Sequence, residues 1–64
     1  MEISIKAARV NAGLTQVEVA ERINKTKGTI ASYEAYITTP DIKTAQAMAE
    51  LFGMPVDAIK WAKD

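Results

Sequence analysis

The chain predicts an all-α fold of five short helices in one domain spanning residues 1–64. Two observations carry that expectation: apolar residues recur at three- and four-residue spacing, and residues that start and stop helices punctuate them at short intervals. A third is negative, since no segment alternates apolar and polar residues for long enough to read as a strand. No repeat, low-complexity tract or linker divides the chain. A domain of this size buries only about 60% of the surface its unfolded chain exposes, so a two-layer enzyme with a substrate cleft does not fit.

The first helix is expected over residues 4–12. Ser4 is a suitable N-cap, Ile5, Ala8 and Ala12 share a face, and Gly13 stops it. Thr15 and Glu18 make a capping-box pair for the second helix, residues 16–23, whose Val19, Ala20 and Ile23 lie on one side. Asn24 tolerates the left-handed conformation that a tight turn needs, and Thr26 caps a third helix, residues 27–34, with Ile30 and Tyr33 inward. The small Ala20 lets the third helix cross close by. The second and third helices therefore form a helix-turn-helix, around which the remainder is arranged. Ala35 to Thr39 reads as a loop, and Pro40 restricts Thr39 to extended backbone. Asp41 caps the fourth and longest helix, residues 41–52, with Ile42, Ala45, Met48, Ala49 and Phe52 in a three-four rhythm before Gly53. Beyond a Met54-Pro55 corner, Val56 and Ile59 predict a fifth helix over residues 56–62.

Eight basic and eight acidic residues cancel, which weakens the simplest case for a nucleic-acid partner. Their placement matters more: Arg22, Lys25 and Lys27 stand in a stretch without acids, whereas Glu50, Asp57 and Asp64 load the C-terminal third. With no cysteine and no histidine, disulfides, two common metal ligands and the usual neutral-pH base are missing, and no catalytic constellation stands out. No cofactor, metal or small-molecule substrate is expected, and no enzymatic activity. No apolar run approaches the roughly 20 residues that span a bilayer, and the N-terminus lacks signal-peptide features, so no membrane association and a cytoplasmic location are expected.

Arg9, the run Gly13-Leu14-Thr15-Gln16, Glu18, Ala20, Ile30, Tyr33-Glu34, Pro40 and the closing run from Ala49 to Asp57 carry a further signal. At these spacings the chain resembles the Cro/C1-type (XRE) helix-turn-helix domain of phage repressors and related bacterial regulators, over nearly its whole length. The resemblance implies a five-helix, lambda-repressor-like DNA-binding domain. Its third helix would enter the major groove of double-stranded DNA, its second would cross the backbone, and a homodimer would read two half-sites about one helical turn apart. It further implies that Gln16 bonds a phosphate at the positive end of the second helix. Base-facing positions would fall on Lys27, Gly28 and Ser32, with Thr29 and Ala31 nearby, and Arg9 and Glu34 would form a partly buried, structural salt bridge. The dimer contact would lie near the corner of the fourth and fifth helices, where Leu51, Met54, Pro55 and Trp61 stand; Trp61 equally suits sealing the core.

Several positions keep two readings. Lys27 suits either guanine or phosphate, and Lys25 a phosphate or a solvated charge. Gly28 is either a tolerated first-turn glycine or a missing side chain that permits close approach. Ser32 pairs with several bases and Ala31 offers only a methyl. No asparagine, glutamine or arginine lies on this face, so bidentate contacts worth about 1–3 kcal/mol each are scarce and specificity shifts toward DNA shape or the following loop. In that loop, relatives often carry Tyr-Glu-x-Gly-x, whereas here Tyr36 stands in the glycine's place, so the turn geometry is not expected to carry over. Tyr36 either folds back on the core or joins Ile37 in an exposed apolar patch for DNA or a protein. Thr38 and Thr39 can bond phosphate through hydroxyls and backbone N–H groups, with Lys43 beside them.

The resulting expectation is a sequence-specific DNA-binding transcriptional regulator, a dimeric repressor of phage or bacterial origin. The competing reading is a protein-interaction module on the same fold, an antitoxin or anti-repressor partner with weak or no DNA binding, motivated by the zero net charge, the sparse reading face and the Tyr36-Ile37 tip.

Overall fold

In a computed structural model of the chain, residues 1–63 are described. Among them are four α-helices: α1 (Ile5–Asn11), α2 (Gln16–Arg22), α3 (Lys27–Glu34) and α4 (Ile42–Phe52). Each begins on an oxygen-bearing side chain that accepts the N–H three residues on: Ser4 from Ala7 at 3.0 Å, Thr15 from Glu18 at 3.1 Å, Thr26 from Thr29 at 3.2 Å and Asp41 from Thr44 at 2.8 Å. These bonds satisfy N–H groups that no intrahelical carbonyl can reach, which is why each helix starts there. At Thr15 the pair is reciprocal, since its backbone N–H donates to Glu18 Oε1 at 2.9 Å.

The four helices also end alike. In each, a residue just past the helix turns left-handed, the one after the cap in α1, α2 and α3 and the cap itself in α4; its N–H bonds back three residues and the next N–H bonds back five, a Schellman pattern. The left-handed residues are Gly13 (φ 74°), Asn24 (φ 59°), Tyr36 (φ 59°) and Gly53 (φ 70°). The longer bonds run from Leu14 to Arg9 O at 3.2 Å, Lys25 to Ala20 O at 2.8 Å, Ile37 to Ser32 O at 3.0 Å and Met54 to Ala49 O at 3.0 Å. These reversals let the helices pack around one core.

That core takes Ile5 and Ala8 from α1, Val19 and Ala20 from α2, Ile30 and Tyr33 from α3, and Met48, Ala49 and Phe52 from α4. Two of the expected inward positions fail. Ala12 is exposed at the end of α1, and Ile42, the first residue of α4, is 77% exposed, because the buried stripe of that helix starts only at Ala45. Leu51, off the stripe, nonetheless packs against the core at half burial.

The fifth helix expected over residues 56–62 is not present. Val56–Ala58 makes a single 3₁₀ turn, and Ile59–Lys60 is a strand, β2, parallel to β1 (Ile3–Ser4), with Ile3 opposite Ile59 and Ser4 opposite Lys60. The fold is thus mainly helical with a two-stranded clasp rather than all-α. A seven-residue helix is marginal alone, and β-branched Val56 and Ile59 lower its propensity. An extended Ile59 instead drops into the core, only 1% exposed, and satisfies backbone groups across the sheet. No helix among the described residues is long and apolar enough to cross a membrane.

Candidate nucleic-acid interface

Helices α2 and α3 are joined by Ile23 to Thr26, with Asn24 supplying the left-handed step at little cost for its residue type. Buried Val19, Ala20 and Ile30 hold the two helices against each other, and Ile23 packs on the same cluster. The outer side of α3 is left open: Lys27 and Gly28 are exposed, and Thr29, Ala31 and Ser32 are half-buried. The hydroxyls of Thr26 and Thr29 share a 3.0 Å hydrogen bond, so part of Thr29's capacity is already used within the helix start.

Gly28 is not a packing necessity. Its backbone lies outside the left-handed region, and a Cβ there would meet nothing closer than Thr26 Oγ1 at 3.9 Å, ordinary contact distance. An alanine would fit and would favour the helix, so the missing side chain has no reason inside the fold.

Gln16 is held from the far end of α3. The Glu34 carboxylate accepts from Arg9 Nε at 2.6 Å, from Arg9 Nη2 at 3.3 Å and from Gln16 Nε2 at 3.0 Å. The Arg9 and Glu34 side chains are 12% and 6% exposed, so this ion pair is largely out of water. Arg9 Nη1 also donates to Leu14 O at 2.8 Å, which fixes the α1–α2 turn. The sequence signals the pair but not these further partners, although a guanidinium with five donors facing one carboxylate implies another acceptor nearby. Gln16 retains one amide N–H and its carbonyl oxygen for an outside ligand, on a side chain whose direction is set by Glu34.

In the loop after α3, the turn geometry that could not simply be carried over from a glycine is nonetheless kept. Tyr36 adopts the left-handed conformation itself, at φ 59°, which costs a bulky L-residue about 1–2 kcal/mol. Tertiary contacts offset it: the half-buried ring packs against the core, and the hydroxyl donates to Lys60 O in β2 at 2.9 Å. Tyr36 therefore takes the first of its two readings and presents no hydroxyl to DNA. Ile37 stays outside, 76% exposed. Thr38 and Thr39 are exposed, but the Thr38 N–H points at Ser32 O at 3.4 Å, so its hydroxyl is the group left for a ligand.

Lys25 and Lys43 are exposed. The Asp41 carboxyl is held below its usual range, chiefly by hydrogen bonding from Thr44, with Lys25 and Lys43 adding to it. At the C-terminal corner, Leu51, Met54 and Trp61 pack half-buried on the core, and Trp61 Nε1 donates to Val56 O at 2.9 Å. Trp61 lies beyond β2 rather than in a helix and seals the core from that side. Pro55 is exposed. Leu51 also lines an open groove of about 430 Å³ with Arg22, Ile23, Ala47 and Glu50.

A family model described as helix-turn-helix matches residues 5–59. That span runs from the first residue of α1 to the first of β2, and so takes in every helix. Comparison with curated proteins and with solved structures gives no significant match.

Proposed function

The chain belongs to the Cro/C1-type (XRE) helix-turn-helix family of DNA-binding regulators, and from that premise we propose that it is a sequence-specific, dimeric repressor reading the major groove with α3. The observation that carries this reading is the uncovered first turn of α3, where Lys27 is exposed beside a glycine that the fold does not require. In this reading the backbone of α3 approaches the groove wall at Gly28, Lys27 reaches guanine or phosphate, and Thr29, Ala31 and Ser32 line the contact. Gln16, Lys25, Thr38, Thr39 and Lys43 contact phosphates on either side and set the register. Two copies meet through Leu51, Met54 and Pro55, a distribution that leaves both α3 helices free. The partner places the protein in the cytoplasm, and binding alone, without a cofactor, accounts for its action.

Salt titration on duplex DNA is the test. Lys25 and Lys43 on phosphates would give a log–log slope of about −2 per subunit, and about −3 with Lys27 on phosphate as well. Lys27→Ala should weaken binding while leaving the fold intact, and should reduce the slope's magnitude by about one where Lys27 takes phosphate rather than guanine. Binding that is absent at low salt, or indifferent to salt, overturns the proposal. It would leave the protein-interaction module, for which Ile37 and Ile42, 76% and 77% exposed, are the specific support.

A further inference from the structure

One residue of the loop does chemistry that no helix-turn-helix requires. Tyr36 occupies the left-handed end of α3, and its hydroxyl crosses to the carbonyl of Lys60. Lys60 lies opposite Ser4 across the parallel clasp, and Ser4 Oγ caps α1. A continuous series of contacts therefore runs from the loop after the reading helix, through β2 and β1, to the start of α1. Immediately beyond Tyr36, the Ile37 and Thr38 N–H groups converge on Ser32 O at 3.0 and 3.4 Å, so the path of residues 37–39 depends on where Tyr36 sets the chain.

We infer that Tyr36 is a positioning residue for DNA binding: its Lys60 bond holds Thr38 and Thr39 where they meet phosphate. The inference rests on the DNA-binding reading above. Among the described residues no element packs over residues 37–39, whose side chains are all exposed. Their order then comes from the Ile37 and Thr38 bonds to Ser32 O and from the segment's two ends, Pro40, which is buried, and Tyr36. Removing one hydroxyl leaves the ring and the core in place but cuts the tie from that turn to β2, and so loosens one of those ends.

The test is Tyr36→Phe, assayed well below its melting temperature. The variant is expected to bind duplex DNA about three- to tenfold more weakly, the loss of one or two phosphate hydrogen bonds. Its salt slope should be unchanged, because no cation is removed. Amide exchange should quicken at Ile37 and Thr38 while Val19 and Ile30 keep their protection relative to global stability. In a Thr38→Ala, Thr39→Ala background, Tyr36→Phe should have no further effect on affinity. Unchanged affinity, a uniform rise in exchange, or additive losses in that background overturns the inference while wild-type binding still stands. If the wild-type chain fails to bind DNA, the proposed function fails first and takes the inference with it.

Discussion

The ends of α2 and α3 use the same hydrogen-bond pattern and the same φ of 59°, yet one places asparagine at the left-handed position and the other tyrosine. Asn24 suits that conformation through its own residue type, and its turn needs nothing from elsewhere in the chain. Tyr36 does not, and is kept there by core packing and a hydrogen bond to a strand 24 residues away. One turn is a local decision and the other a tertiary one. Asn24 is exposed and Tyr36 packs on the core, and that packing is where its compensating energy comes from.

The largest effect should come from cutting the other long-range tie at the end of α3. Arg9→Ala leaves the buried Glu34 carboxylate with only Gln16, and should cost about 2–3 kcal/mol, lowering the melting temperature by more than about 10 °C in thermal denaturation. An unchanged melting temperature would remove the ion pair from the account of stability. Next comes the same substitution at the two turns. Glycine relieves the left-handed conformation at either position, so Asn24→Gly should change stability by no more than about 0.5 kcal/mol. Tyr36→Gly should lose about 1–2 kcal/mol net, because the packing and the Lys60 bond outweigh the relief. Equal responses in urea denaturation would erase the distinction between the turns.

A smaller effect of opposite sign is expected at Gly28. Gly28→Ala should stabilise the domain by about 0.5 kcal/mol, part of the glycine penalty inside a helix, and at the same time weaken DNA binding. Stabilisation without weaker binding would mean that α3 does not approach DNA there. The smallest effect belongs to the local caps. The Glu18 carboxyl is held low by hydrogen bonds from Thr15, and that of Asp41 by bonds from Thr44. Carboxyls lowered in the folded state contribute stability above their unfolded pKa, and that contribution drains away as pH falls below about 4. Melting temperatures followed down to about pH 2.5 should show a fall that is shallower in a Glu18→Gln, Asp41→Asn variant.

Helix starts were legible because they are decided within four residues. Ser4, Thr15, Thr26 and Asp41 each carry the oxygen that the first turn lacks. Three of the four helix ends were legible for the same reason, since Gly13, Asn24 and Gly53 favour the left-handed step. The fourth was not, because nothing near Tyr36 announces Lys60. The clasp of Ile3–Ser4 with Ile59–Lys60 escaped as well: two-residue strands are too short to alternate, and the helical spacing of Val56 and Ile59 points the other way. At the candidate interface, charge pointed to Lys27, and the family resemblance implied the Arg9–Glu34 pair. It was silent on Glu34 gripping Gln16 and on the Thr26–Thr29 bond.

By itself, then, the sequence determined where the four α-helices start and three of the four places where they end, because caps, left-handed residues and apolar spacing act over a few residues, and its motifs carried the family resemblance. Tertiary structure alone decided three things. Residues 59–60 became a strand rather than a helix, since burying Ile59 against Ile3 gains more than one marginal turn would. Tyr36 took a glycine's conformation, since Lys60 and the core offset the strain. Gln16 was aimed by Glu34, a partner 18 residues away. Contacts across such separations form only once the helices have packed, so no local pattern can carry them.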